Sequence, residues 1–123
     1  MTATPFYAAI PLPDVPRGQL ADVLRAVVAA FTEHRNATEG EHGLYADVVH
    51  DAPRLARTVD GLVAEHTELG TAMASLVHAM ECPETNADTL REDARRILDD
   101  LARHRQRDAD LVYEAYTADI GGE

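Results

Sequence analysis

Residues 55–80, LARTVDGLVAEHTELGTAMASLVHAM, decide the fold. Leu55, Val59, Leu62, His66, Leu69, Met73, Leu76 and Met80 recur at alternating steps of four and three without a skip, the heptad spacing of a helix packed in a bundle. The segment stops at Pro83. Downstream, Leu90, Ala94, Ile97, Leu101, His104, Asp108, Leu111 and Ala115 repeat the rhythm, with Thr85 or Asp88 placed to cap this helix and Gly121–Gly122 closing the chain. Upstream, Leu20, Leu24, Val27, Phe31 and His34 form a third seam, which Thr38, Glu41, Tyr45 and Val48 continue. This first helix is expected to run to about Val49, strained at Gly40 and Gly43, with Asp51 as a cap and Pro53 in the first turn of the next helix. Residues 1–16 carry Pro5, Pro11, Pro13 and Pro16 and read as an extended arm. Residues 17–123 form one all-α domain of three long antiparallel helices.

Composition sets outer bounds on function. The 123 residues carry 11 basic and 22 acidic side chains, a formal charge of -11, which repels phosphate backbones and anionic lipid, so neither nucleic acid nor membrane is an expected partner. No stretch approaches 18 uninterrupted apolar residues and the N-terminus lacks a basic leader, so a cytoplasmic location is expected. All 11 basic residues are arginine, which excludes lysine Schiff-base chemistry. With Cys82 the single cysteine, any metal must be held by imidazole and carboxylate.

His34, His66, His104 and Asp108 occupy seam positions that a bundle reserves for apolar side chains, and polar groups there need partners. Short connections make neighbouring helices antiparallel, so depth follows from counting out from the turns. His66 lies 15 residues before Glu81 and His104 lies 16 after Asp88, which sets the two at one level; His34 falls within about 3 Å of it at about 1.5 Å per residue if the first helix is continuous. His104 and Asp108 are about 40° apart around their helix, whereas Glu39 is about 140° from His34. Such a layer reads either as a metal site or as a buried polar network in which the histidines bond to Asp108, Tyr45 or one another. His42, His50 and His78 lie off the seams. Arg103, Arg105 and Arg107 flank His104 and are placed either to hold a carboxylate or to pair with Asp99, Asp100 and Asp110. Tyr113 joins Tyr45 and Arg105 as a candidate binding residue.

The segments EGEHGLYADVVHDAPRLARTVDGLVAEHTEL and LARHRQRDADLVYEAYTADIGGE resemble the hemerythrin-like (HHE) proteins of actinobacteria, over about residues 20–123. That family's four helices place histidines and bridging carboxylates around a di-iron or other cation site that binds or senses oxygen. The resemblance implies metal-ligand roles for His34, His66, His104 and Asp108, with Glu39 as a bridging carboxylate and iron as the cofactor, if any. The chain also departs from the family pattern. The proline-rich arm stands where the family's first helix belongs, Thr38 and Gly70 stand one turn after His34 and His66 where further ligands are expected, and Asp108 is one residue closer to its histidine than usual. A homodimer is expected to cover the seam thus exposed. Three functions remain open: a ligand-poor protein that binds or tailors a small molecule or peptide, an oxygen-binding or oxygen-sensing metal protein, and a metal-free tailoring enzyme similar in size and expected dimerisation to the lysinoalanine-forming proteins of peptide natural-product pathways.

Overall fold

The computed structural model describes residues 16–118, and every regular element among them is helical. The expected arm, except Pro16, and the closing glycine pair lie outside the described residues. Helix α1 spans Arg17–Glu39, α2 Leu44–Asp51, α3 Ala56–Met80 and α4 Ala87–Tyr113. A 3-10 turn, Pro53–Leu55, leads into α3, and a π turn, Glu114–Ala118, ends α4. Among the described residues no helix is long and apolar enough to cross a membrane.

Seven of the eight α3 seam residues are buried and Met80 is half-buried, while all eight of the α4 seam are buried. Two apolar clusters result. One joins Leu20, Leu24, Val27 and Phe31 of α1 to Leu69, Met73 and Leu76 of α3 and to Leu90, Ile97 and Leu101 of α4. The other joins Tyr45 and Val48 of α2 to Leu55, Val59, Leu62, Leu111 and Ala115. Each fully buried aliphatic side chain contributes roughly 1.5–3 kcal/mol relative to exposure. Between the clusters lies a polar layer of His34, Thr38, His66, His104 and Asp108.

The first helix does not continue to Val49. It ends at Glu39, and the chain turns through residues 40–43 before α2 begins, so Glu41, expected in the seam, is exposed, while Thr38, Tyr45 and Val48 are buried as expected. Space rather than handedness dictates glycine in this turn. Gly43 has φ -85°, but a Cβ there would lie 2.7 Å from the carbonyl oxygens of both Ala37 and Thr38. Neither can yield without unwinding the end of α1. Gly43→Ala is therefore expected to cost about 2–3 kcal/mol, read as a lowered midpoint in urea unfolding at unchanged slope; an unchanged midpoint would show that the turn relaxes freely.

The other ends are also tied down. Asn86, rather than Thr85 or Asp88, caps α4, its side-chain oxygen accepting from the amides of Asp88 (2.7 Å) and Thr89 (3.4 Å). Arg17 donates to the carbonyls of Met80, Cys82 and Thr85, satisfying the C-terminal end of α3 and fixing the start of α1 beside the α3–α4 turn. Helices α1 and α4 therefore run parallel, both antiparallel to α3. Asp51 caps nothing and instead accepts from the Tyr116 hydroxyl at 2.9 Å.

Candidate metal centre

His34 projects from α1, His66 from the middle of α3 and His104 from α4, and one nitrogen of each ring lies within 4.8 Å of the others. The count that set His34 at this depth runs through residues 40–43, where the helix breaks, so its premise fails, yet α1 still brings His34 to the level of the other two imidazoles. His66 and His104 are 0 % and 1 % exposed, and their Nε2 atoms approach to 2.8 Å. The His34 ring stands edge-on to both, with centroids 5.2 Å from His66 and 5.5 Å from His104. Asp108 Oδ2 lies 2.9 Å from His34 Nε2 and 3.3 Å from His104 Nε2. Its Oδ1 accepts from the Tyr45 hydroxyl at 2.5 Å, and the Tyr45 ring stacks on His66.

The outward ring nitrogens of both buried histidines are held by carboxylates. His66 Nδ1 donates to Glu39 Oε2 at 2.5 Å, and His104 Nδ1 donates to Glu65 Oε1 at 2.7 Å. Each glutamate is in turn held by an arginine, Glu39 by Arg35 Nε at 3.0 Å and Glu65 by Arg107. Glu39 is thus not a bridging carboxylate here: it stands behind His66, on the ring nitrogen turned away from the other imidazoles, because its roughly 140° offset from His34 aims it at α3. Glu65 was not singled out from the sequence. It lies off the α3 seam, and the signal that points to it is its pairing with Arg107, one turn beyond His104 on the facing helix. Exposed Tyr113 lies at the rim of a 520 Å³ pocket with Glu65 and Arg107, away from the imidazole cluster. His42, His50 and His78 are exposed.

Carboxylates that accept at both Nδ1 atoms set the tautomers. With two neutral rings, the two Nε2 lone pairs would face each other at 2.8 Å, so the layer needs a cation between them. Without a metal that cation is a proton. Burial lowers the proton affinity of His66, more than Glu39 restores. Burial also acts against a charged His104, but its bonds to Asp108 and Glu65 outweigh this and raise it. Burial likewise opposes the Asp108 charge, yet His104, His34 and Tyr45 hold its carboxyl far below the usual range, and burial together with Asp108 pushes the Tyr45 phenol well above its ordinary value. The proton therefore sits on His104 and is shared toward His66.

Two buried atoms are left without an aligned hydrogen bond, His34 Nε2 and Asp108 Oδ2, although they lie 2.9 Å apart. They face each other as an ion pair that falls short of an aligned hydrogen bond, so both keep lone-pair capacity for a further partner. A divalent ion would engage both, together with the Nε2 atoms of His66 and His104, and three imidazoles with one carboxylate suit borderline first-row metals. The residues present fit a metal ion.

The family model for the hemerythrin HHE cation binding domain matches residues 8–116, beginning within the stretch read from the sequence as an arm. Comparison with curated proteins and with solved structures finds no match. On the extent of that match, and with a histidine layer at the level where three helices meet, the chain belongs to the hemerythrin HHE cation-binding family.

Proposed function

We propose that the protein holds a single divalent first-row ion, iron foremost, on His34, His66, His104 and Asp108, and that it serves as a small-molecule binding chamber rather than as an oxygen carrier. The observation that carries this reading is the pair of buried, facing atoms His34 Nε2 and Asp108 Oδ2, 2.9 Å apart without an aligned hydrogen bond, next to two imidazoles whose Nδ1 atoms are already committed. When bound, such an ion supplies a Lewis-acid centre at which a small ligand is held. Glu39 and Glu65 keep each imidazole in the tautomer that leaves Nε2 free, Tyr45 fixes the Asp108 carboxylate by one oxygen, and the Phe31 ring, edge-on to His66 at 5.6 Å, closes the layer against the apolar cluster beneath.

The places where ligands for a second ion would stand are otherwise occupied. The Thr38 hydroxyl donates to the carbonyls of its own helix, His34 at 2.9 Å and Arg35 at 3.2 Å. Gly70 offers no ligating side chain, and the Arg35 guanidinium stands 3.4 Å from where its Cβ would be. A cation already stands there.

Metal analysis of chelator-stripped protein reloaded anaerobically with ferrous iron, or with zinc, tests the reading: one ion per chain is expected. Two irons per chain with oxo-bridged absorption would overturn it, and no uptake of either metal would sink it altogether. Glu65→Gln is expected to weaken the ion about 10–100-fold, the usual cost of losing a carboxylate behind a ligating histidine, with the helical content unchanged. Affinity equal to wild type would show that Glu65 is only a surface partner of Arg107.

A further inference from the structure

We infer that the groove between α1, α2 and α4 is a binding site for a small organic monocarboxylate, its head held by Arg105 beside His34 and its apolar tail lying against Leu44, Ala102, Ala109 and Val112. The groove encloses about 470 Å³ and is also lined by Gln106 and Asp108, a size within the range of roughly 300–1,000 Å³ typical of small-molecule sites. A smaller cavity of about 70 Å³ between α1 and α4 is lined by both His34 and His104 and by Arg105. Arg105 therefore stands where both openings meet His34, whose side chain is 26 % exposed. Through this face a ligand can reach the imidazole layer.

Charge identifies the ligand. In a chain with twice as many acidic as basic residues, nearly every arginine around the site is engaged: Arg103 with Asp100, Arg107 with Glu65, Arg35 with Glu39. Arg105 makes no ion pair or hydrogen bond among the described residues, because Asp108, three residues on, is turned inward to Tyr45 and the imidazoles. A guanidinium fork matches a planar carboxylate with two parallel hydrogen bonds. A dianion such as phosphate would meet Asp108 and the -11 field of the chain, so a single negative charge is favoured. The apolar walls beyond Arg105 call for a hydrocarbon tail, each methylene of which adds binding when removed from water.

The inference does not rest on the cation reading, since Arg105 and the groove walls exist without the ion. The test is calorimetry with sodium hexanoate on the full chain, first stripped with chelator and then loaded with one equivalent of cobalt(II), whose visible spectrum reports metal uptake independently. Saturable binding of one hexanoate per chain is expected, at least tenfold tighter than acetate, with hexylamine not binding. Arg105→Gln and Ala109→Phe, both at exposed positions, are expected to weaken hexanoate at least tenfold while leaving the thermal midpoint and cobalt uptake unchanged. Cobalt uptake without hexanoate binding would overturn this inference and leave the metal site standing; hexanoate binding without cobalt uptake would do the reverse. Sealing of the groove by residues 1–15 or by a second copy of the chain would show as no binding at any protein concentration, and would overturn it too.

Discussion

His104→Ala is expected to lower metal affinity about a hundredfold to a thousandfold and to remove most of the thermal stabilisation that the metal confers. The magnitude follows from division: structural four-ligand sites bind with about 10–16 kcal/mol, so each ligand accounts for roughly 3 kcal/mol. His104 is the sharpest choice because it contacts two members of the layer and the carboxylate behind it: His66 at 2.8 Å, Asp108 at 3.3 Å and Glu65 at 2.7 Å. His66→Ala is expected to match it. His34→Ala should cost less in folding, since that side chain is part-exposed, yet as much in metal affinity, because its Nε2 has no other aligned partner. Thr38→Val provides the contrast: its hydroxyl is committed to the carbonyls of α1, so metal affinity is expected to stay within about twofold of wild type. Zinc or cobalt titrations of the four variants read these differences directly. Equal affinity in wild type and His104→Ala would place the ion elsewhere and dismantle the proposed site.

The parts of this arrangement that were legible in the sequence are those fixed by position on a helix. The α3 and α4 seams are regular to the last residue, so burial of His66, His104 and Asp108 follows from spacing alone, and short turns made their relative depth countable. Partners were harder to read. Glu39 and Glu65 both end on the outer nitrogens of histidines belonging to other helices, and a sequence gives a side chain's angle around its own axis but not what the neighbouring helix presents to it. The break after Glu39 escaped for a different reason. What makes Gly43 necessary is contact with two carbonyls at the end of α1, a property of the folded turn rather than of any motif. The same turn explains why Glu41 leaves the seam while Tyr45, four residues later, returns to it. The two readings of the polar layer, network or metal site, also prove less opposed than they looked. The network is present, with His66 bonded to His104 and Tyr45 to Asp108, and the two atoms it leaves without an aligned bond are what give the metal reading its force.

That double character sets an expected pH dependence, in which alkali weakens the metal-free protein but not the metal-loaded one. In the metal-free protein His104 binds its proton more tightly than its ordinary value of 6.5 implies. Its contribution to stability is therefore complete below about pH 6.5 and is lost as pH rises through the elevated folded value. His66 is shifted the other way from the same 6.5, so its contribution is present above that pH and is lost as pH falls through the lowered folded value. Asp108, depressed from 3.8, contributes above that value and loses its share only in stronger acid. The three together place the best stability that this layer gives the metal-free protein near pH 6.5, declining on the alkaline side as His104 releases its proton. A bound ion takes the place of that proton. From pH 6.5 up to the elevated His104 value, each unit removes a competitor and strengthens binding about tenfold, and with metal in excess that ~1.4 kcal/mol offsets what the metal-free protein loses over the same unit. Thermal midpoints measured from pH 6 to 8.5, with chelator and with saturating zinc, are therefore expected to diverge: falling in chelator, flat with metal. Parallel curves would mean that the ion does not displace the His104 proton, and that the site lies outside this layer.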